Sequence, residues 1–524
     1  MKVTKFGGSS LADAARIKKV CDIVLSDPQR RIIVVSAPGK RNDTDTKVTD
    51  LLISTAQACL DGKDGKDEIE IVIDRFTEII NELSIPKELP TIKSALKELL
   101  TLDKSNPARF MDALKAAGED TTAKIVAAYL KHNGHNTQYI NPGEAGIRLT
   151  DEFGNAQLLE ESYETLSELA EMNSLVIFPG FFGTTLQGDV VTFPRGGSDI
   201  TGAILAAAVK ADVYENFTDV DYVYSVNPKI VQNPKPILEI TYREMRELSS
   251  AGFAVYQEEA LLPVYKRGIP VNVRNVNNPD CPGTMIVPDR DNKGVPVIGI
   301  ANDGDFCCLY IRKYLMNREI GFGRHVMQML EENGISYEHT PTGIDDMSVI
   351  FKQSQMSDEL KAAITSRLYA ELGADNVTFD HNLSMIMVAG EGMSNSVGIA
   401  SQATGAFSRA DINIEMITQG CSEVSMAFAV RETDAKAAVK TLYDEFFNNN
   451  PERKIEVECL HNLEKRWIKS SSKGFKKTET GRVFYHCLLR DDCAELIGCN
   501  GMIFLSPEEQ TKFTPEELSK MPVF

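Results

Sequence analysis

Residues 5–10 of the chain are KFGGSS, and they follow the four-residue start MKVT. The run 2–6 is rich in β-forming residues, and the apolar spacing of residues 12–25 predicts a helix. A strand that enters a helix through two glycines is typical of an anion-binding turn, because glycine N–H groups approach an anion closely and the helix N-terminus adds partial positive charge. An ordinary tight turn has the same local sequence. The segment does not follow the GxxxxGK[ST] pattern of P-loops.

Similar β-rich runs recur along the chain, separated by helical patterns such as residues 121–131. The runs are residues 31–37, 176–179, 211–215 and 269–274. Their apolar residues do not alternate with polar ones, which favours α/β architecture with a mainly parallel sheet covered on both faces. Residues from about 60 to 115 have the charge and spacing of a helical insertion.

The length and composition narrow the class of protein. The 524 residues suit about three domains, and the formal net charge of −19 argues against general nucleic-acid binding, which needs clustered Lys and Arg. No apolar run reaches the roughly 20 residues that span a bilayer, and the N-terminus has no signal-peptide core. Ten scattered cysteines indicate reduced thiols. We therefore expect a cytoplasmic protein with no membrane or nucleic-acid partner.

A linker rich in Pro, Gly, Asn and Asp at residues 277–296 precedes two smaller repeats of about 75–80 residues. Each repeat has the order strand, glycine-bearing turn, helix, strand, turn and strand. In the first repeat, strands are predicted at 297–300, 306–311, 335–339 and 347–351, with a helix at 323–333. The predicted domains are residues 1–296, 297–380 and 381–462, followed by an extension of unassigned role at 463–524.

Two further segments carry charges suited to a small ligand. In TFPRGGSDITG, residues 192–202, a cation and two glycines open a predicted helix. Arg195 offers a planar fork for a carboxylate, and Asp199 is suited either to cap the helix or to orient a lysine ammonium or a metal-bound phosphate. Gly118-Glu119-Asp120 precedes the predicted helix at 121–131, where Glu119 is either a favourable helix-terminal charge or a ligand for a substrate ammonium.

Residues 217–229, FTDVDYVYSVNPK, place aromatic and acidic side chains ahead of an Asn-Pro-Lys end. A purine can lie against such a surface with Lys229 near its phosphates. A surface turn with two tyrosines packed beneath it explains the same sequence.

These segments, with SAPGKRNDTDTKVTDLL at 36–52 and PVNVRNVNNPDCPGT at 270–284, resemble the motifs of aspartate kinases, within the amino-acid kinase family, in the same order. The C-terminal repeats resemble the paired ACT modules of those enzymes. The resemblance covers roughly residues 1–460. It implies an amino-acid kinase fold, with a mainly parallel sheet between helices, followed by two ferredoxin-like βαββαβ ACT modules.

The resemblance implies ATP-dependent phosphorylation of the side-chain carboxylate of L-aspartate to 4-phospho-L-aspartate, the first step towards lysine, threonine and methionine, with ATP and Mg²⁺ as cofactors. The implied catalytic residues are Lys5 and Asp199, and the implied phosphate-binding residues are Lys5, Gly7, Gly8 and Ser9. The implied aspartate-binding residues are Ser36, Thr49, Glu119, Phe181, Arg195 and Ser198. The implied nucleotide-binding residues are Thr218, Asp219, Tyr224 and Lys229.

The chain departs from the commonest family pattern at residues 254–258, AVYQE, where many members have a run such as AKVLHP. In those members a lysine of that run helps to bind nucleotide phosphates, and the segment that starts at Ala254 lacks it. Lys229 or Lys266 is available to replace it. No metal-ligating residues are assigned.

ACT modules bind small amino acids at interfaces between modules, so the resemblance also implies an amino-acid effector and a homodimer or higher homo-oligomer formed through them. The implied effector residues are Met316, Glu319, Gly321, Phe322, Tyr337, Glu338, Thr342, Gly343, Asn413, Gln419 and Ser422. Glu338 is suited to pair with an ammonium, which favours lysine over threonine. Ordinary turns account for the same residues.

Other functions fit parts of the sequence. A kinase of the same fold that acts on acetylglutamate, glutamate or UMP is disfavoured by Arg195, Glu119 and the ACT repeats. A non-catalytic amino-acid sensor is expected to lack Lys5 or Asp199, and both are present. A homoserine dehydrogenase domain needs GxGxxG and on the order of 300 further residues, whereas only about 60 residues follow the repeats.

Overall fold

The computed structural model describes residues 1–253, 260–292 and 294–448, and the backbone of six short strands between residues 453 and 505. The family departure at 254–258, with Ala254, and the side chains of the extension predicted at 463–524 lie outside the described residues. The chain divides into two compact units, residues 1–397 with 414–435, and residues 398–413 with 436–524. Within the described residues, no helix combines the length and apolarity needed to cross a membrane.

The first unit contains an eight-stranded sheet. Its strands are β1 Lys2–Phe6, β2 Arg30–Val35, β3 Thr137–Tyr139, β4 Leu175–Pro179, β7 Val213–Thr218, β10 Glu239–Thr241, β11 Val271–Asn275 and β12 Thr284–Val287. Two short hairpins pair β5 Phe182–Thr184 with β6 Val190–Thr192, and β8 Val223–Tyr224 with β9 Pro236–Ile237. The sheet order is β10-β12-β11-β7-β1-β2-β4-β3, and all neighbours are parallel except β11 and β12.

Helices cover both faces of this sheet. They are α1 Ala14–Leu25, α2 Val48–Leu60, α3 Lys66–Glu82, α4 Leu89–Glu98, α5 Pro107–His132, α6 Pro142–Ala145, α7 Ser162–Ser167, α8 Gly197–Ala208, α9 Tyr242–Ser250 and α10 Leu261–Arg267. In β2, Ile32 and Val34 belong to the apolar cluster on the α8 side of the sheet, whereas Ile33 and Val35 belong to the cluster on the α1 side. The unbroken apolar strands are therefore buried on both sides, which confirms the predicted mainly parallel α/β sheet.

The bounds of helix α5 correct the predicted position of Glu119 within its helix. The sequence predicted a helix from residue 121, whereas α5 begins at Pro107 and carries Gly118-Glu119-Asp120 in its interior. Gly118 obscures the pattern because glycine is a poor helix former. The fold requires it, because a Cβ on Gly118 would lie 2.8 Å from the Cβ of Ala37. Glu119 is therefore not a helix-terminal charge.

A second sheet of the first unit has five strands, each antiparallel to its neighbours. They are β13 Gly299–Arg312, β14 Asp346–Lys352, β15 Asn376–Ala389, β16 Met416–Gln419 and β17 Ser425–Arg431, in the order β14-β13-β15-β17-β16. Helices α11 Phe322–Glu332 and α12 Asp358–Leu372 pack on β13 and β14 through a cluster that includes Leu309, Val326 and Leu368. Strands of both predicted repeats therefore share one sheet.

Two predictions for the first repeat are wrong in detail. The runs 297–300 and 306–311 largely merge into β13, because the polar residues between them form an irregularity around Asp305, φ +63°, instead of a turn. Residues 335–339 are not a strand, and within this described run His339 makes an isolated bridge to Ile350. β15 continues across the predicted domain boundary at 380/381, and that boundary remains a prediction.

The second unit contains α13 Ile399–Arg409 and most of α14 Ala435–Tyr443, with a hydrogen bond from Thr441 Oγ1 to Ala406 O at 3.3 Å. Its backbone strands are β18 Arg453–Glu458, β19 Lys465–Ser470, β20 Phe475–Lys477, β21 Val483–His486, β22 Ala494–Gly498 and β23 Gly501–Leu505. α13 follows Gly398 at φ +95°, as α11 follows Gly321 at φ +88°. This shared turn geometry supports the internal repeat.

Candidate active site

The KFGGSS segment lies at the carboxyl edge of the eight-stranded sheet, where β1 ends. Residues 7–12 are termed the first turn, and residues 36–40, which follow β2, are termed the second turn. The Gly39 N–H donates to Gly8 O at 2.8 Å, and a Cβ on Gly8 would lie 2.7 Å from the carbonyl oxygen of Ala37. The two turns therefore pack backbone against backbone, which requires glycine at residue 8.

Lys5 is held at this edge by Asp199. The Lys5 Nζ lies 2.7 Å from Asp199 Oδ1, and Asn216 Nδ2 donates to the same oxygen at 2.6 Å. A Cβ on Gly7 would lie 3.5 Å from Lys5 Nζ, so the ammonium is directly beside the first turn. Asp199 is in the first turn of α8, but the residue at the cap position is Gly196. Of the two roles open to Asp199, the geometry supports orientation of the lysine.

Glu119 lies beside the second turn with an unsatisfied carboxyl group. Its side chain is 5% exposed and accepts a hydrogen bond from the Ala37 N–H, while Oε2 has no partner among the described residues. Burial raises the pKa of Glu119 to about 8, and the Ala37 hydrogen bond opposes this only in part. A buried carboxyl group without a counter-ion is costly to the fold. The arrangement points to a ligand that supplies a cation.

The segment between β4 and α8 is tightly packed. Phe181 has a left-handed backbone, φ +79°, and its N–H donates to Thr201 Oγ1 at 3.0 Å. A Cβ on Gly180 would lie 2.6 Å from the Cβ of Ser198, a buried residue in the first turn of α8. Such strained non-glycine conformations are concentrated at ligand sites.

The remaining predicted substrate residues lie on the same segments. Ser36 follows β2 and is half-buried, and Thr49 is in the first turn of α2, whose Val48 N–H donates to Pro38 O at 3.0 Å. Arg195 is exposed in the turn before α8 and forms no ion pair with another described residue. Ser36, Thr49 and Glu119 thus surround the second turn, and Phe181, Arg195 and Ser198 belong to the segment that carries Asp199.

A cavity of about 260 Å³ follows the end of β7. Thr218, Asp219 and Tyr224 line it, as the sequence predicted for a nucleotide site, together with Tyr222 and Phe253. Lys229 is exposed and is not part of the lining, although its neighbours Asn227 and Pro228 are. The lining residues that the sequence analysis did not assign include Tyr222, Phe253 and Asn302. Tyr222 was detectable within the same motif, but Asn302 belongs to β13 and reaches the cavity only through tertiary structure.

The predicted effector residues are mostly at the surface of the first repeat. The segment 313–318 is joined to residues 344–345, since the Asn317 N–H donates to Ile344 O at 3.1 Å and the Lys313 N–H to Asp345 O at 2.8 Å. Met316 and Phe322 are buried in the cluster beneath this segment, and Glu319 pairs with Lys313. The exposed predicted residues are Glu319, Tyr337, Glu338, Thr342, Gly343, Asn413, Gln419 and Ser422. Asn413 belongs to the second unit.

The site combines two glycine turns in backbone contact, a lysine held by an aspartate, and a cavity at the edge of a parallel sheet. These features are typical of a kinase that acts on a small substrate. The family models agree: residues 1–275 match the amino acid kinase family and residues 386–446 match the ACT domain. The chain is 54% identical to aspartokinase 3 of Bacillus subtilis (strain 168) over 448 residues, which is 85% of this chain and 99% of that protein. It therefore belongs to the aspartokinase branch of the amino acid kinase family.

Solved structures support the same assignment. The crystal structure of Clostridium acetobutylicum aspartate kinase is 36% identical, with a TM-score of 0.76, and the match covers 85% of this chain and all of that one. Two structures of E. coli aspartokinase III are 26% identical and also cover 85% of this chain. The one with aspartate and ADP, in the R-state, has a TM-score of 0.68 and is covered completely. The one with lysine and aspartate, in the T-state, has a TM-score of 0.70 and is 99% covered.

Proposed function

We propose that the chain transfers the γ-phosphoryl group of ATP to the side-chain carboxylate of L-aspartate, and that the edge formed by Lys5, Glu119 and the two turns is its active site. The product is 4-phospho-L-aspartate, the first intermediate towards lysine, threonine and methionine. The observation that carries the site assignment is the buried Glu119, whose Oε2 has no partner among the described residues and which lies beside the turn that contacts Gly8.

The phosphoryl group is bound by Lys5 and by the N–H groups of Gly7, Gly8 and Ser9. The nucleophile is a carboxylate that is already ionised at neutral pH, so the reaction needs no general base. The two reacting groups are both anionic, and bringing them together requires fixed positive charge. Asp199 keeps the Lys5 ammonium beside the first turn, so that this charge is in place before the substrates bind.

The amino-acid end of L-aspartate is recognised by opposite charges. Its ammonium pairs with Glu119, which supplies the missing counter-ion of that carboxylate, and its α-carboxylate pairs with the exposed guanidinium of Arg195. Ser36, Thr49, Phe181 and Ser198 complete the pocket. This pairing orients the side-chain carboxylate towards the phosphoryl group, which is the main contribution of positioning to such a reaction.

The nucleotide occupies the cavity lined by Thr218, Asp219, Tyr222 and Tyr224. The two tyrosine rings lie edge to face, 6.3 Å between centroids, and offer an aromatic surface to the base. No group of three or more His, Cys, Asp or Glu side chains in the described residues is arranged to hold a metal ion. Asp199 is the carboxylate at this edge that would hold Mg²⁺ together with the ATP phosphates. Mg²⁺ supplies charge neutralisation to the phosphates.

Regulation is assigned to the five-stranded sheet. Lysine is the proposed effector, with its ammonium paired to Glu338 and its carboxylate at the backbone of Gly321. The surface around this turn is unusually apolar, since Ile320 is fully exposed and Tyr314 and Ile344 are 71% and 70% exposed. An apolar patch of this kind is typical of an interface. We propose that a second copy of the chain covers it and forms a homodimer.

A trapping assay tests the catalytic proposal. Hydroxylamine converts an acyl phosphate to a hydroxamate, so ATP, Mg²⁺ and L-aspartate should yield aspartyl hydroxamate, and lysine should suppress it more strongly than threonine. ADP release with L-glutamate, N-acetyl-L-glutamate and UMP is the matched control and should remain near background. ADP release on one of those acceptors, with no hydroxamate from L-aspartate, would contradict the proposal.

A further inference from the structure

Helix α3, in the helical insertion, carries a buried arginine, Arg75, whose side chain contacts the proposed active-site edge. Arg75 is 5% exposed, and its Nη2 donates to two backbone carbonyls, Ala12 O at 3.0 Å and Gly39 O at 2.9 Å. Ala12 is the last residue of the first turn, and Gly39 belongs to the second turn. One nitrogen atom therefore bridges the two segments that are assigned to phosphoryl and aspartate binding.

The same guanidinium also fixes the chain that leads from the second turn to α2. Arg75 Nη1 donates to Asp45 Oδ2 at 2.7 Å, and Arg41 contacts the same oxygen through Nε at 3.0 Å. The hydrogen bonds from Arg41 and Arg75 hold the pKa of Asp45 well below its usual range, although partial burial opposes this. Asp45 therefore remains an anionic anchor at all ordinary pH values. Arg41 is tied in turn to α3 by an ion pair with Glu78 at 2.8 Å.

Arginine has a geometry that lysine cannot reproduce at this position. The planar guanidinium of Arg75 directs its N–H groups at two carbonyls and a carboxylate simultaneously. A lysine ammonium is a compact point charge at the end of a flexible stem and cannot present donors in this planar arrangement. Without Arg75, the turns would keep the direct bond between Gly8 and Gly39 and an exposed bridge from Arg16, whose Nη1 donates to Ser9 O at 3.3 Å and to Lys40 O at 3.1 Å. Arg75 is the buried bridge, since both of its carbonyl hydrogen bonds are shielded from water. Loss of Arg75 would remove the buried link and allow the separation of the two turns to change.

We propose that Arg75 is a positioning residue that fixes the first turn relative to the second and so aligns the phosphoryl group with the attacking carboxylate. This gives the helical insertion a role in phosphoryl transfer. The inference rests on the proposed function of the two turns. Arg75 itself touches neither substrate, so its effect is on alignment and therefore on kcat, since a misplacement of about 1 Å can cost on the order of 100-fold in rate.

The test compares Arg75→Lys and Arg75→Gln with Arg290→Lys and Arg290→Gln. Arg290 is a matched control, because the two side chains are 4% and 5% exposed and each pairs with a carboxylate, Asp45 for Arg75 and Glu244 for Arg290. Steady-state hydroxamate kinetics without effector and thermal unfolding are measured for all variants. We expect kcat to fall about 100-fold in Arg75→Gln and about tenfold in Arg75→Lys, with KM values for ATP and L-aspartate within threefold of wild type.

The Arg290 variants should show a comparable loss of Tm but keep kcat within threefold. The inference is overturned if the Arg75 variants lose no more kcat than the Arg290 variants, or if KM rises while kcat is kept. Asp45→Asn is the second variant, and it covers the case in which Arg75 substitutions do not fold. It should lower kcat three- to tenfold, and an unchanged kcat overturns the inference. A wild-type chain without turnover of L-aspartate would overturn the proposed function, and the inference with it.

Discussion

The two proposed ligand-binding regions of the first unit differ in how deeply their side chains are buried. At the carboxyl edge of the eight-stranded sheet, Lys5 and Glu119 are 8% and 5% exposed. The proposed effector segment consists of residues 313–322 and 337–345, beside the five-stranded sheet. There Tyr337 is 49% exposed and Ile320 is fully exposed. The catalytic edge buries the Lys5 ammonium and a Glu119 carboxyl group without a counter-ion, whereas the proposed effector segment presents its side chains to the surface.

This difference indicates how the two regions work. A buried site holds its charged groups, here the Lys5 ammonium, in place before the substrates bind. Little reorganisation is then needed when the transition state forms, so these groups stabilise it strongly. An exposed, partly apolar segment becomes a defined pocket only when another surface covers it. The catalytic site should therefore respond to single substitutions by large losses of rate, and the effector site by moderate shifts in inhibition.

The largest effect is expected from Lys5→Ala. The substitution removes the charge beside the first turn and leaves Asp199 as an unpaired anion near the phosphoryl group. Loss of one preorganised stabilising group typically costs about 10²–10³ in kcat, and we expect about 10³ or more here because the remaining charge is repulsive. Lys66→Ala, an exposed lysine on α3, is the control and should leave the hydroxamate rate unchanged. A Lys5→Ala variant that keeps a tenth of the wild-type kcat would contradict this role.

Glu119→Gln should mainly affect L-aspartate binding. The amide has nearly the same shape but cannot neutralise the substrate ammonium, so KM for L-aspartate should rise about 100-fold, the scale of a lost buried charge pair, while KM for ATP changes little. Asp120→Asn is the control, because Asp120 is the next residue of α5 and instead contacts Tyr139 and Lys124. An equal KM increase in both variants would mean that the helix, and not the Glu119 carboxylate, sets the affinity.

The same variant should be more stable than wild type at alkaline pH. The pKa of Glu119 rises on folding from its usual value of 4.5 to about 8, so the folded chain binds the proton more tightly than the unfolded chain. Stability from this group is therefore complete below pH 4.5 and is lost as the pH rises towards 8. Glu119→Gln has no such loss. Its Tm should exceed that of wild type at pH 8.5 by more than at pH 6, and a constant difference would exclude the raised pKa.

Glu338→Gln should weaken feedback inhibition without the large losses expected at the catalytic edge. Removing an exposed charge partner of the effector ammonium should raise the lysine concentration for half-inhibition about tenfold, the equivalent of about 1.4 kcal/mol. Glu331→Gln, an exposed residue of α11 in the same module, is the matched control. Unchanged inhibition in Glu338→Gln would place the effector elsewhere.

The smallest effect is expected from Tyr224→Leu in the nucleotide cavity. Aromatic stacking on a base contributes about 1–3 kcal/mol, and Tyr222 remains in the lining, so KM for ATP should rise only about fivefold with kcat retained. Tyr265→Leu, an exposed tyrosine on α10, serves as the control. A change in KM for L-aspartate instead of ATP would show that the cavity is not the nucleotide site.

Local motifs predicted the parts of the site that are made within one strand–turn–helix unit. Lys5 with its glycines and Asp199 with α8 were singled out in this way, and the resemblance implied their roles. The contact between the Lys5 ammonium and the Asp199 carboxylate comes from the structure. Glu119 was identified, but its setting was not, because Gly118 interrupts the helical pattern of α5 for a reason that lies in Ala37.

Other contributors were beyond a reading of the sequence. Asn302 reaches the nucleotide cavity from a strand of the second sheet. Arg75 donates to the backbone carbonyls of Ala12 and Gly39. Every residue has such a carbonyl, so the sequence of the turns does not indicate this contact. The polar residues near Asp305 divided β13 into two predicted runs, and only the strand pairing shows that the strand continues through them.

The most direct test of the account is the proton balance of L-aspartate binding, measured by titration calorimetry at pH 7 in buffers of different ionisation enthalpy. With a pKa of about 8, Glu119 is mostly protonated in the free chain, and it must ionise to pair with the substrate ammonium. We predict the release of close to one proton per L-aspartate in wild type and of none in Glu119→Gln. Binding of L-aspartate to wild type without proton release would contradict the raised pKa of Glu119, and equal affinity of wild type and Glu119→Gln for L-aspartate would contradict its assignment, and with it the proposed active site.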